Sequence, residues 1–377
     1  MARPDRAQAA LQYGTTHGYA PLREKLLNHV CRLDGVQPGE LSLTADNVVV
    51  TTGSQQLLYL LGEMLLDPGD LVITEAPSYF VYQGTLDSMG VRTLGVPMDE
   101  DGMRTDELET LLDNLEHTGE LRRLRMIYVC DYFQNPSGRT LSLERRQHLV
   151  ELARRFSKKQ RILILEDAAY RELRYEGRDL PSIKSFDTSN EYVITAMTFS
   201  KPLAPGLKTG YGILPNELVQ PLIRLKGNHD FGSSNLTQHL LDRLLETGAY
   251  GQHVEELCDV YRRKRDAVLV ALEKEFGTKG PVRWTHPAGG LYVWLTFPAD
   301  VDTGPESELM RAALREGVLY VPGCFCYVEN GVSTVPRHEA RLSFGVVPIE
   351  QIGEAIRRLA RAVEQADPRG PQAIVVS

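Results

Sequence analysis

From Asn47 onward, short apolar runs alternate with longer segments whose apolar positions recur every three or four residues. The runs "NVVVTT", "DLVITEA", "RMIYVC", "RILILED", "YVITAMTFS" and "GYGILP" are short and partly β-branched, which predicts strands. Between them, "SQQLLYLLGEMLL", "YFVYQGTLDSMG" and "LERRQHLVELARRF" carry the helical period. Strands alternating with helices predict an α/β fold around a doubly wound, largely parallel sheet. After "LVQPLIRLKG" the texture changes. Two long helices are expected over "NLTQHLLDRLLETG" and "VEELCDVYRRKRDAVLVALEKEFG". The run "GGLYVWLTF", a helix around "ELMRAALREG", "EARLSFG" and the helix "IEQIGEAIRRLARAVEQ" follow. The pattern predicts a smaller α+β unit joined to the first by the long helix starting near Val254. The expected division is an N-terminal segment over 1–35, a large domain over 36–253 and a small C-terminal domain over 254–377. The tail "DPRGPQAIVVS" is expected to be loose.

A length of 377 residues agrees with one large and one smaller domain. The net charge of -8 provides no electrostatic reason to expect nucleic acid or an anionic membrane as partner. No run approaches the roughly 18 apolar residues of a membrane span. The start "MARPDRAQAA" lacks the apolar core of a secretory signal. The five cysteines, Cys31, Cys130, Cys258, Cys324 and Cys326, form no CxxC pair, and no histidine lies close to Cys324 and Cys326. A cytoplasmic, reducing compartment is therefore the expectation. No GxGxxG follows the first strand, which argues against a nicotinamide-binding enzyme.

In an open α/β sheet, ligands bind at the carboxyl ends of the strands, so the residues after each strand matter most. Gly53-Ser54-Gln55 after the first strand is either a plain helix start or a turn whose free N–H groups suit a phosphate. Glu166 and Asp167 end a buried strand and need cationic or N–H partners there, whether in an ion pair, a helix cap or a site. Asn135-Pro136 with Gly138 is a turn signal. Lys201, in "TFSKPLAPGLKTGYG", is either a solvated surface charge or an amine placed to attack a carbonyl. A phosphate-ready turn, an amide, an acid and a lysine at successive strand ends are the equipment for holding pyridoxal 5'-phosphate.

Here the chain resembles the fold-type I, class I/II aminotransferases that depend on this cofactor. It is most similar to the branch with 2-aminoadipate and kynurenine aminotransferases and the aminotransferase-like half of certain bacterial regulators. "TTGSQQ", "EAPSY", "QNPSG", "LEDAAY", "TFSKPLAPGLKTGY", "AGGLYVWL" and "ARLSFG" carry the resemblance, from about Tyr13 to about Gln365. The resemblance implies that Lys201 forms the Schiff base and shuttles the proton, and that Asp167 pairs with the pyridinium nitrogen. It implies that Asn135 and Tyr170 bond the ring's phenolic oxygen and that Tyr79 stacks on the ring. It places Ser54, Gln55, Thr198, Ser200 and Lys208 at the phosphate. Many relatives have arginine where this chain has Lys208, so charge is kept while a two-pronged grip is lost. Arg341 is implied to clamp the substrate α-carboxylate. Tyr13 is implied to reach the phosphate of the partner subunit, in a homodimer with shared active sites.

The implied reaction moves the amino group of an L-amino acid to a 2-oxo acid, with 2-oxoglutarate the expected acceptor. The same residues would also serve a β-lyase or decarboxylase. A third reading is a non-catalytic sensing module. Only twelve residues precede Tyr13, where relatives carry a longer segment over the active site. Either the chain starts late or the pocket is unusually open.

Overall fold

The computed structural model describes residues 4–328 and 334–366, so the expected loose tail lies outside the described residues. Eight strands make the larger sheet. They are Val48–Thr51 (β1), Leu71–Ala76 (β2), Arg92–Asp99 (β3), Gly102–Met103 (β4), Leu124–Val129 (β5), Leu163–Asp167 (β6), Val193–Thr198 (β7) and Gly210–Ile213 (β8). Their order is β1-β8-β7-β6-β5-β2-β3-β4. The five central neighbours β7, β6, β5, β2 and β3 are parallel. β8 runs antiparallel between β1 and β7, and β4 pairs antiparallel with β3. "GYGILP" is thus a strand, but one of reversed direction.

The described helices are Pro4–Ala10 (α1), Ala20–Asp34 (α2), Ser54–Leu65 (α3), Phe80–Ser88 (α4), Thr105–Thr118 (α5), Leu143–Phe156 (α6), Asn216–Asp230 (α7), Asn235–Thr247 (α8), Ala249–Phe276 (α9), Glu308–Arg315 (α10) and Ile349–Ala366 (α11). The helix expected near Val254 starts at Ala249, because Gly248 in the left-handed region ends α8 and opens α9.

Strand side chains alternate between faces, and the alternation sorts the core into two layers. Ile73, Ile127, Ile164 and Val193 pack under Leu108, Leu112, Leu149 and Phe156 of α5 and α6. Val72, Met126, Tyr128, Leu165 and Ile194 pack under Leu57, Leu61, Tyr82, Leu86 and Leu222 of α3, α4 and α7. Cover on both sides explains why the central strands read as unbroken apolar runs. Asp167 follows Leu163 and Leu165 by steps of two, and Thr198 follows Ile194 and Ala196. The α3/α4 face therefore receives both where the strands end.

A second, four-stranded antiparallel sheet comprises Arg283–Trp284 (β9), Tyr292–Thr296 (β10), Val321–Pro322 (β11) and Glu339–Ser343 (β12), ordered β11-β12-β10-β9. Its core joins Val293, Leu295, Ala340 and Leu342 to Leu272 of α9, Leu309 of α10 and Ile356 and Leu359 of α11. β10 and β12 are in register with Tyr292 opposite Ser343 and Trp294 opposite Arg341.

Candidate active site

Strand ends β1, β2, β5, β6 and β7 border one cavity of about 340 Å³, which the second sheet completes with Tyr292 and Arg341. Its walls include Ser54, Gln55, Tyr79, Asn135, Asp167, Tyr170, Thr198, Ser200, Lys201, Lys208 and Arg341. Every sequence-expected site residue but Tyr13 is thus brought together. Tyr13 is 87% exposed and meets Phe231 edge-on, with ring centroids 5.7 Å apart.

α3 begins behind Gly53, whose φ of 76° is open to glycine without strain. No side chain caps the helix start and no acidic residue stands in its first turn. The first-turn N–H groups are thus available to an anion, and the positive end of the helix dipole adds to the attraction. Thr198 Oγ1 accepts from the Ser200 N–H at 3.1 Å and so shapes the turn leading to Lys201. Lys208 holds the left-handed conformation at φ 50° and is exposed on the cavity rim. Gly210 fixes the distance between these parts. A Cβ there would meet Met197 O and Ser54 N, each at 2.6 Å, so only glycine lets β8 pass between the α3 start and β7.

Lys201 sits between β7 and β8, half-buried, with Nζ 5.7 Å from the Tyr170 ring centroid. No carboxylate among the described residues forms an ion pair with it. Asp167 is 5% exposed, and burial raises its carboxyl to about 6. The Tyr128 hydroxyl donates to Oδ2 at 2.9 Å and the Ala169 N–H to Oδ1 at 3.3 Å; both bonds, with the charge of Lys201, pull the other way. Tyr170 Oη lies 3.2 Å from Tyr292 Oη, and burial pushes the Tyr170 phenol well up. Burial likewise pushes Tyr79 up to about 12.

Arg341 donates from Nη1 to Asn135 Oδ1 at 2.6 Å. Its guanidinium lies over the Tyr292 ring at 4.3 Å and the Phe80 ring at 5.5 Å. Nε is buried without a hydrogen-bond partner. A buried guanidinium N–H left open is costly, and Arg341 carries that cost at the wall of the cavity. Asn135 is fixed through its neighbour. Gln134 Nε2 donates to Glu75 Oε2 and Pro77 O, each at 2.8 Å, while Gln134 Oε1 accepts from the Ser137 N–H and hydroxyl.

The family profile described as aminotransferase class I and II matches residues 2–359. The chain belongs to the class I and II aminotransferases. An aromatic-amino-acid aminotransferase from Thermococcus litoralis is 35% identical over 95% of this chain and 81% of its own length. A kynurenine aminotransferase structure from Pyrococcus horikoshii superposes with a TM-score of 0.86 at 33% identity, covering 95% of this chain and 83% of that one. The structure of LysN, an α-aminoadipate aminotransferase from Thermus thermophilus complexed with N-(5'-phosphopyridoxyl)-L-leucine, superposes with a TM-score of 0.80 at 35% identity over 96% and 85%. This aminotransferase is accordingly a pyridoxal-phosphate-dependent transaminase of fold type I, acting between amino acids and 2-oxo acids.

The residues present fit that cofactor. An uncapped helix start with a nearby ammonium suits a phosphate, a buried carboxylate suits a cationic ring nitrogen, and an amine without an ionic partner suits an aldehyde. Sequence reading singled out neither Tyr128 nor Tyr292, Phe80 and Cys130, which also line the cavity. Tyr292 lay inside the quoted "AGGLYVWL", and Tyr128 inside a strand run read only for its apolar character. Glu166, flagged beside Asp167, points to the other face, where it accepts from the Ile183 N–H at 2.6 Å and the Thr195 hydroxyl at 2.8 Å.

Proposed function

We propose that the aminotransferase uses Lys201, Asp167, Asn135, Tyr170 and Arg341 as its working set on an L-amino acid and a 2-oxo acid. Pyridoxal phosphate supplies an aldehyde and an electron-withdrawing ring when bound. The Lys201 amine would hold that aldehyde and, when free, would serve as the base that moves the proton of the substrate Cα. Asp167 keeps the ring nitrogen charged. Asn135 and Tyr170 present hydrogen bonds to the phenolic oxygen, and Tyr79 covers one ring face. Ser54, Gln55, Thr198, Ser200 and Lys208 hold the phosphate. Arg341 anchors the α-carboxylate and so sets which substituent faces Lys201.

One observation carries this reading. Arg341 and Asn135, 206 positions apart in sequence, are hydrogen-bonded across the two sheets while the buried Nε of Arg341 lacks an acceptor. Relatives named for aromatic amino acids, kynurenine and 2-aminoadipate support a donor with a long or aromatic side chain, and 2-oxoglutarate is the proposed acceptor. A homodimer is proposed in which Tyr13 reaches the partner's site; its exposure in the single chain supports that role. Five free thiols support a reducing, cytoplasmic setting. Residues 254–377 are proposed as the small domain, carrying Arg341 to the cofactor.

The test is borohydride reduction of the holoenzyme followed by peptide mapping. A pyridoxyl group on Lys201 is expected; one elsewhere, or none, overturns the assignment. Single-turnover mixing with each amino acid, followed by cofactor absorbance, then ranks the donors.

A further inference from the structure

We propose that Tyr128 is a positioning residue for the aminotransferase reaction: its hydroxyl aims the Asp167 carboxylate and favours its charged form. The inference rests on the role given to Asp167 above and adds the group that sets it.

Three features of the fold make the contact. Tyr128 pairs with Leu165 across β5 and β6, so it stands two residues short of Asp167 and on the same face. Its ring is fully buried and lies 4.5 Å from the ring of Tyr82 on α4, which leaves the hydroxyl a single direction. That direction ends on Asp167 Oδ2 at 2.9 Å. The Tyr82 hydroxyl, buried in the same layer, has no hydrogen-bond partner. Of the two tyrosines, whose rings are tilted by 41°, only one is aimed at the acid.

The chemistry follows from what a phenol can do at that point. Burial opposes charge on Asp167. A donor bonded to the carboxylate opposes burial, because the bond is stronger to the ionised form. Tyr128 is itself pushed well above the usual phenol range by burial first and Asp167 second, so it stays a donor throughout the working pH range. The other groups acting on or acted on by Asp167 are Lys201, Glu75, Cys130, Tyr79, Tyr82 and Tyr170. Of these, only the Lys201 ammonium favours ionisation of Asp167. Burial pushes Glu75 up to about 8, which weakens the negative charge it sets beside Asp167.

The test uses the apo-protein and a pH titration of the carboxylic acid C=O stretch that disappears in Asp167→Asn. In the wild type the midpoint is expected near 6. In Tyr128→Phe it moves up by about one unit, and pyridoxamine phosphate binds roughly fivefold more weakly at pH 6. Tyr82→Phe, which removes the unpartnered hydroxyl, leaves the midpoint in place. Should Tyr128→Phe fail to fold, 3-fluorotyrosine in place of Tyr128 keeps the shape and strengthens the donor, and the midpoint moves down. An unmoved midpoint in either Tyr128 replacement, or an equal shift in Tyr82→Phe, overturns the proposal. Failure of the underlying Asp167 assignment has a different signature: Asp167→Asn would then bind pyridoxamine phosphate as tightly as the wild type.

Discussion

Two faces of the same sheet hold adjacent acids, Glu166 and Asp167, and two lysines 17 positions apart, Lys184 and Lys201, and they treat them in opposite ways. Behind β6, Lys184 is 1% exposed and uses its donors on Asp187, Asn190 and the Val193 carbonyl. Asp187 in turn accepts from the N–H groups of Glu191, Tyr192 and Val193, and Glu166 from two N–H groups and a hydroxyl. Nearby, Arg146 and Asp131 pair with no exposure on either side chain. In front of β6, Lys201 has no ionic partner among the described residues, Arg341 keeps an open Nε, and Asp167 turns toward the cavity. The first face ties loops to strand ends with nearly all of its bonding capacity used, Asp131 Oδ1 being left without a partner. The second has bonding capacity left over, and leftover capacity at buried groups is what a ligand completes. Charge alone therefore does not mark a site in this molecule; incomplete pairing at the wall of a cavity does.

That contrast breaks most visibly at the lysines. Lys201→Ala should lower kcat by about 10²–10⁴-fold while the thermal midpoint of the apo-protein changes little, since no pairing is lost. Lys184→Met should do the reverse. Removing one partner of a buried pair costs about 3–5 kcal/mol of stability, read by urea unfolding, with kcat per folded molecule near the wild-type value. Equal effects of both substitutions on stability would erase the distinction between the faces.

Arg341→Lys sharpens it further. One ammonium cannot bond Asn135 and grip a carboxylate with two parallel N–H groups, so kcat/KM should fall roughly 10–100-fold. The loss should be smaller for an amine substrate lacking the carboxylate. The smallest change expected is at Lys208→Arg, where a forked donor replaces a point charge on the exposed rim. Cofactor dissociation, followed by dialysis and absorbance, should slow by about threefold.

Much of this was legible because central parallel strands, covered on both faces, cannot avoid reading as apolar runs. Other elements escaped. α2 buries Leu22, Leu26, Leu27, Val30 and Cys31 at helical spacing, yet its run of charged residues obscured the stripe. β3 contains Gly95 and Pro97 and is partly open, so it lacks the signature of its neighbours. Within the site, Ser54, Gln55, Asn135, Asp167 and Lys201 stood out because they lie at or after strand ends, whereas Arg341, inside β12, was found through the family resemblance. Strand position alone does not say which of Glu166 and Asp167 faces the cavity, because adjacent strand residues diverge and only the topology says which side carries α3 and α4; the family resemblance pointed to Asp167. Tyr128 needed more still. Its partner is 39 positions away and depends on the β5/β6 register, which no local pattern encodes.

Gly210 sits beside Thr51 in one direction and Thr198 in the other, at the level where both strands stop. The spacing between Lys201, the proposed covalent anchor, and the α3 start, the proposed anion seat, is thus a main-chain dimension, ruled by two backbones in contact. Side-chain drift around the rim can retune which amino acid enters without altering the gauge to which the coenzyme itself is cut.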